Sequence, residues 1–385
     1  MRKIRLGDIG KVSMCKRVMQ NQTSSKGDIP FFKISTFGKQ ADVFISKKMY
    51  IDYKAKYSYP KIGDVLISAA GTVGRTVVFN GKPAYFQDSN IVWIANDETQ
   101  VLNKYLYYFY QLEPWKTTSG STIPRLYNNN IRDIELLAPE LAKQKKIIKI
   151  LTAIDCKIEF NSKINCELET ITRSLYDYWF VQFNFPDEFG RPYKTNGGEM
   201  AWNKELKQEI PAGWKIVKIG SLYTENEKSK IKVRDAKNNK ICKYPFFTSG
   251  KAILKYDDYF VDGNNLFLNT GGNADVKYFK GKAAYSTDAY SITSEYINYL
   301  HLFLQSRISD INENYFAGSS LKHLQKNDFK SIQVVLPPID LLIKFEKIVD
   351  VNMSYLMKNS TENTHLAELR DFLLPMLMNG QVSVN

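Results

Sequence analysis

Near the middle of the chain, Pro186-Asp187 is followed by Glu205 and Lys207, the order PD…ExK found in metal-dependent nucleases. Two carboxylates and a lysine so arranged hold Mg²⁺ and activate water for phosphodiester cleavage. That chemistry needs its acidic groups on adjacent rigid elements. Here they lie in a Gly- and Pro-punctuated stretch, 182–213, that reads as an ordered linker, so the match is taken as coincidence. Amino-methyl transfer would need an Asn/Asp-Pro-Pro-aromatic loop. The Pro337-Pro338 pair is followed by Ile339 and opens a helix instead, and no GxxxxGK(S/T) nucleotide loop is present. Cys15, Cys156, Cys166 and Cys242 form no CxxC pair, and His301, His323 and His365 stand apart from any such pair. Zinc-ligand spacing is therefore missing, and a reduced, cytoplasmic setting is expected.

The remaining polar loops have the chemistry of recognition rather than turnover, and they come in pairs. GTVG (71–74) answers GGNA (271–274), SGSTIPRL (119–126) answers AGSSLKHL (317–324), and FKIST (32–36) answers FTSGK (247–251). Glycines there suit tight turns first and phosphate cradles second. Residues kept in both copies should serve the scaffold, and residues that differ should discriminate. Arg125 against His323, Arg75 against Asp275 and Lys33 against Thr248 are differing pairs of the kinds that read base edges. The candidate DNA-contacting residues are Lys33, Ser35, Ser68, Thr72, Arg75, Ser119, Thr122 and Arg125 in the first copy. In the second they are Thr248, Ser249, Lys251, Asn269, Asn273, Lys322 and His323. No catalytic or metal-binding residue is assigned.

These loops need a scaffold, and the chain supplies it twice. Residues 120–179 align with 318–377 at a constant offset of 198; GKPAYFQD (81–88) answers GKAAYSTD (281–288) at 200, and Pro30-Phe31-Phe32 answers Pro245-Phe246-Phe247 at 215. Short β-rich runs such as DVLIS (64–68), TVVF (76–79) and NIVWIA (90–95) precede a short helix around 104–112, and the second copy repeats that order. The fold class expected is α+β: two similar mixed modules, 1–138 and 214–336, with helices at 139–181 and 337–385 forming a long antiparallel coiled coil between them. A heptad seam runs Ile147, Leu151, Ile154, Ile158, Asn161, Asn165, Leu168, Thr172, Leu175, Trp179. A second runs Phe345, Val349, Asn352, Leu356, Asn359, Asn363, Leu366, Arg370, Leu373, Leu377, with Pro375 expected to kink or stop it. Antiparallel pairing that faces Asn161 to Asn363 and Asn165 to Asn359 also matches the apolar positions, leaving Ile154 against Arg370 as a mismatch. A helix of about 40 residues is roughly 60 Å long, which suits a spacer.

The formal charge is +13. Residues 1–137 hold 20 basic against 11 acidic side chains and 214–336 hold 18 against 12, whereas the helical segments carry no excess. Two basic modules suit a polyanion with two contact sites. No run approaches the roughly 18 apolar residues that span a bilayer, and MRKIRLGDIG has no apolar core, so no secretory signal is expected.

Nearly the whole chain resembles the specificity (S) subunits of type I restriction–modification systems. The resemblance rests on LLAPELAKQKKI (136–147), SLYDYWFVQFNFPDEFGRPYKTNGGEM (174–200), EIPAGWKIVKIG (209–220), GSTIP (120–124) and LRDFLLPMLMNGQV (369–382). It implies a non-catalytic subunit whose two target-recognition domains each bind one part of a split double-stranded DNA target. It also implies partners: two methyltransferase (M) subunits docked on the helices, and restriction/translocase (R) subunits. S-adenosylmethionine, ATP and Mg would belong to those partners and no cofactor to this chain. The chain departs from the family in one place: the second helix begins PPIDLLIKFEKI without the usual Glu-Gln pair, and the first keeps only Gln144 of it. The rival readings are a catalytic methyltransferase or nuclease, and a coiled-coil adaptor whose basic globules bind acidic proteins.

Overall fold

The computed structural model describes residues 1–115, 124–237, 243–382 and 384. It divides into two compact units, Met1–Glu159 with Thr364–Asn385, and Phe160–Asn363.

In the first unit, β1 (Arg2–Arg5) leads through the short α1 (Leu6–Ile9) into β2 (Gly10–Met14). There follow β3 (Ile29–Phe32), β4 (Val43–Ile45), α2 (Lys47–Lys56), β5 (Val65–Ser68), β6 (Thr76–Val78), β7 (Tyr85–Phe86) and β8 (Ile91–Asn96). Then come α3 (Asn103–Tyr110), α4 (Asn128–Arg132), β9 (Glu135–Ala138) and the long α5 (Leu141–Tyr176). The expected strand runs and the short helix are all present. They assemble as a sheet ordered β2-β8-β5-β6, a second ordered β4-β3-β7, and a β1-β9 pair that closes the module on its own N-terminus. Leu66, Ile67, Val92 and Trp93 are buried on both faces, so these strands read as unbroken apolar runs rather than alternating ones.

In the second unit a hairpin, β10 (Met200–Asn203) and β11 (Gln208–Pro211), lies within the stretch expected to be linker. Phe183 and Phe185 of the same stretch pack on Trp214, and Tyr193 stacks on Phe185, which accounts for its order. Next come β12 (Lys215–Lys218), β13 (Thr224–Glu225), α6 (Val233–Lys237), β14 (Tyr244–Phe247), β15 (Ile253–Tyr256), β16 (Asn264–Asn269) and β17 (Val276–Lys280). They are followed by β18 (Ala284–Tyr285), β19 (Ala289–Thr293), α7 (Ile297–Ser306), α8 (Ile308–Asn314), β20 (Phe316–Ala317) and β21 (His323–Leu324). The series ends with α9 (Lys326–Lys330), β22 (Gln333–Leu336) and α10 (Ile339–Met378). Sheets β13-β19-β16-β17, β15-β14-β18 and β12-β22 copy the three of the first unit strand for strand.

Within each unit a stretch of α5 runs antiparallel to a stretch of α10. In the second unit Asn161 donates to Asn363 at 3.0 Å, Asn359 donates to Asn165 at 2.9 Å, and Asn352 donates to Thr172 at 3.1 Å. The register expected from the seam asparagines is therefore the one adopted. Buried amides left unpaired would be costly, so they select one alignment. In the first unit Ile147 and Leu151 share a core with Leu374 and Leu377. The Ile154–Arg370 mismatch resolves because the Arg370 side chain reaches Asp155 at 3.2 Å, leaving Ile154 buried. Of the two outcomes expected at Pro375, the stop does not occur: α10 continues to Met378, with one backbone bond removed and less than one turn of helix beyond the proline. After Tyr176 the first helix winds as a π-helical turn, Asp177–Val181, which buries both Trp179 and Phe180.

Each long helix is also fastened to the first turn of its module's own short helix. Gln144 of α5 is fully buried; its Oε1 accepts the Leu102 N–H at 2.9 Å, and its Nε2 donates to the carbonyls of Gln100 and Pro139, both at 2.8 Å. In α10 the aligned position is Leu342, and Glu346, one turn on, takes over. Its carboxylate accepts the Tyr299 N–H at 2.8 Å and both the backbone and side-chain N–H of Asn298 at the start of α7. Burial raises the Glu346 carboxyl above the usual range, partly offset by these donors. Gln144→Leu removes the partner of three backbone groups, of which the Pro139 carbonyl is buried and those of Leu102 and Gln100 partly so. The variant should lose roughly 1–3 kcal/mol for each buried group left without a substitute partner, read as a lower urea midpoint.

Candidate nucleic-acid interface

In the first unit the paired loops meet at one turn, Gln87–Asn90, between β7 and β8. The Gln87 N–H donates to the Phe32 carbonyl at 2.9 Å, and its side-chain Oε1 accepts the Ile34 N–H at 2.9 Å, which fixes the FKIST loop. The Asn90 carbonyl accepts the Ala69 N–H at 2.7 Å, which anchors the loop after β5. Arg125 bridges to Ala70, and its guanidinium donates to the Ser89 carbonyl at 3.5 Å. Arg17 donates from Nε to the Asp88 carboxylate at 2.8 Å. Segments far apart in sequence thus present their side chains around a single hub.

The second unit builds the same hub at Ser286–Ala289. The Ser286 N–H donates to Phe247, and the Asp288 carbonyl accepts the Thr270 N–H at 3.1 Å, the Thr270 hydroxyl at 2.7 Å and the Ser249 hydroxyl. Gly271 bridges to His323 as Ala70 does to Arg125, so Arg125 and His323 occupy equivalent places. The copies differ in register by single residues. Ser68 N–H donates to the Arg75 carbonyl and Asn269 N–H to that of Asp275, so six residues span the first hairpin loop and five the second. Likewise, three residues separate Gln87 from Ile91, and two separate Ser286 from Ala289. The extra residue is accommodated in a turn where Ser89 has φ +51°, the left-handed region. This corrects the alignment of Asp88 with Asp288: the Asp288 carbonyl stands where that of Asn90 does. A constant sequence offset misses this because the one-residue differences accumulate, so the offset between the copies falls steadily from Ser68–Asn269 to Ile91–Ala289.

The candidate contact residues fall into three groups. Ser35, Thr72, Lys251, Asn273, Lys322 and His323 are exposed. Lys33, Arg75, Arg125 and Ser249 are half-buried, with Lys33 paired to Asp42 at 3.0 Å and Arg75 donating to the Phe37 carbonyl at 2.8 Å. Ser68, Thr248 and Asn269 are buried and bonded to their own loops. The Ser68 hydroxyl donates to Thr72 and accepts from Arg75, and Thr248 donates to Ala252. Asn269 donates to Asn273 at 3.0 Å and accepts from Lys277 at 2.9 Å. Ser119 and Thr122 lie outside the described residues. The glycines of the GTVG loop serve the turn: Gly74 has φ +86°, and a Cβ there would lie 2.1 Å from the Trp115 indole nitrogen. Arg17, Gln87, Asp88 and Ser89 were not singled out from sequence. The sequence match of GKPAYFQD with GKAAYSTD marks the place, but a residue shared by both strings reads as scaffold, and the shift of Asp88 against Asp288 shows only in the fold.

The nuclease-like residues do not converge. Both Asp187 oxygens are engaged by Arg191 and the turn around it, and Glu205 instead accepts from Gln333 at 2.8 Å. Among the described residues no cluster of metal-ligating side chains occurs, and no helix is long and apolar enough to cross a membrane. The Cys15 thiol is buried and pushed up to about 12, so it stays protonated.

Two copies of one α+β module, each gathering polar and basic loops at a single hub and each carried on antiparallel helices, define a duplicated recognition protein. The chain belongs to the type I restriction modification DNA specificity family: the model of the "Type I restriction modification DNA specificity domain" matches residues 1–170 and 211–369. It is 60% identical over 148 residues to a putative type I restriction enzyme specificity subunit of Haemophilus influenzae, a match spanning 38% of each chain. Over 93% of its length it is 24% identical to the MjaIX specificity subunit of Methanocaldococcus jannaschii, 88% of which is covered. The crystal structure of the type I restriction–modification S subunit from M. genitalium shares the fold, with a TM-score of 0.65 at 16% identity over 98% of this chain and 96% of that one.

Proposed function

We propose that each module reads one half of a bipartite duplex DNA target, and that the helix pair docks two methyltransferase subunits, to which restriction/translocase subunits attach. The carrying observation is the duplicated hub, which presents different side chains, Arg125 and His323, at the same structural place. Exposed hub residues meet base edges and phosphates, while Ser68, Thr248 and Asn269 hold the loops in shape. Docking is supported by exposed apolar side chains along the helices: Phe160, Ile164 and Ile171 on α5, and Ile348, Val351 and Tyr355 on α10. S-adenosylmethionine, ATP and Mg are assigned to the partner subunits, and no catalytic step to this chain.

Sequencing the methylome of a host expressing the chain with its methyltransferase subunit tests this directly. The expected result is a two-part motif with a fixed unread gap; a single continuous motif would overturn the reading. At residue level, Arg125→Ala should relax base choice in one half-site by about 1–3 kcal/mol. Lys251→Ala or Lys322→Ala should weaken all sequences alike and reduce the salt slope by about one. Affinities for matched and mismatched duplexes at several salt concentrations separate these outcomes.

A further inference from the structure

We propose that Arg17 is a specificity-determining residue that reads a guanine in the half-site of the first module, oriented by Asp88 as a positioning residue. This rests on the module being a half-site reader. Arg17 follows β2 and reaches the hub turn, where Nε donates to Asp88 Oδ2 at 2.8 Å. Among the described residues this is the one hydrogen bond Arg17 makes, and its side chain remains 66% exposed while that of Asp88 is 17% exposed. A guanidinium held through Nε has its plane fixed and keeps its two Nη groups for an outside acceptor pair. The guanine O6/N7 edge in the major groove is the acceptor pair that fork matches.

The surroundings support a recognition role over a chance surface ion pair. Arg17 and Arg125 come from different parts of the chain to adjacent residues of one turn, Arg17 to the Asp88 carboxylate and Arg125 to the Ser89 carbonyl. Ser89 holds a left-handed backbone at the one-residue insertion that the second module lacks. Strain of that kind persists where surrounding structure enforces it and is common at binding sites. Among the described residues no arginine is bonded to the turn of the second hub, which carries Thr287 and Asp288. Arg17 with Asp88 therefore distinguishes the first module from the second.

The test uses the full chain in complex with its methyltransferase subunits and duplexes carrying the methylated motif. Arg17→Ala should weaken cognate binding roughly 5- to 100-fold and abolish preference at one base pair of the first half-site. Replacing that guanine with 7-deazaguanine, which lacks N7, should weaken the wild type and leave Arg17→Ala unaffected. Arg17→Lys should not rescue, because lysine lacks the fork. Asp88→Asn should blur the same base pair, with discrimination at the second half-site intact as proof of folding. If Arg17→Ala weakens every duplex alike with a shallower salt dependence, the residue contacts phosphate and the proposal is wrong. Unchanged affinities would also overturn it. A wild-type complex indifferent to the first half-site would overturn both this proposal and the reading beneath it.

Discussion

Phe345→Ala should destabilise the second unit by about 3–5 kcal/mol, the range for emptying a fully buried aromatic site. Phe345 has no exposed surface. Its ring packs against Phe180 at 4.8 Å, Trp179 at 5.7 Å and Tyr176 at 6.4 Å between centroids. The π-helical turn brings Trp179 and Phe180 to this ring together, so the cavity would have walls on several sides and little freedom to collapse. Urea unfolding followed by tryptophan fluorescence should show a much lower midpoint for Phe345→Ala and a smaller drop for Phe345→Leu. Equal, small effects would mean that the aromatic cluster does not fasten α5 to α10.

Acid should weaken the second unit through His301. This residue of α7 is buried against Tyr278, with ring centroids 5.7 Å apart, and Nδ1 has no partner among the described residues. Burial lowers its pKa from 6.5 to about 4, with Asp275 opposing. The folded imidazole therefore stays neutral where the unfolded one takes a proton. This contribution is flat above pH 6.5 and is lost as pH falls from 6.5 to about 4, amounting to about 3 kcal/mol in total. Glu346 acts in the opposite sense: its raised carboxyl favours the folded state as pH falls through the folded value toward the ordinary glutamate range. Comparing stability against pH for the wild type and His301→Gln isolates the histidine. The acid loss should shrink by that amount in the variant. Parallel curves would show that His301 is not the group responsible.

Much of the scaffold was legible because its signals are local or repeated. The β runs at 65–68 and 91–96 are apolar strings bounded by turn residues, and the seam asparagines fix a register through their own hydrogen-bonding needs. What sequence did not reveal depends on partners distant along the chain. The Gln144 contacts to Leu102 and Gln100, the Glu346 contacts to Asn298 and Tyr299, and the Arg17–Asp88 pair each join segments that only the fold brings together. Arg370 read as a seam defect because its long stem lets the charge leave a position its backbone occupies. Of the interface, the loops could be chosen from the repeat. The buried, loop-holding roles of Ser68, Thr248 and Asn269 required their burial to be seen.

The most direct test of independent half-site reading is to exchange residues 1–138 for the first module of another family member and sequence the resulting methylome. One half of the recognised motif should change while the other half is retained. A motif altered in both halves, or in neither, would contradict the account.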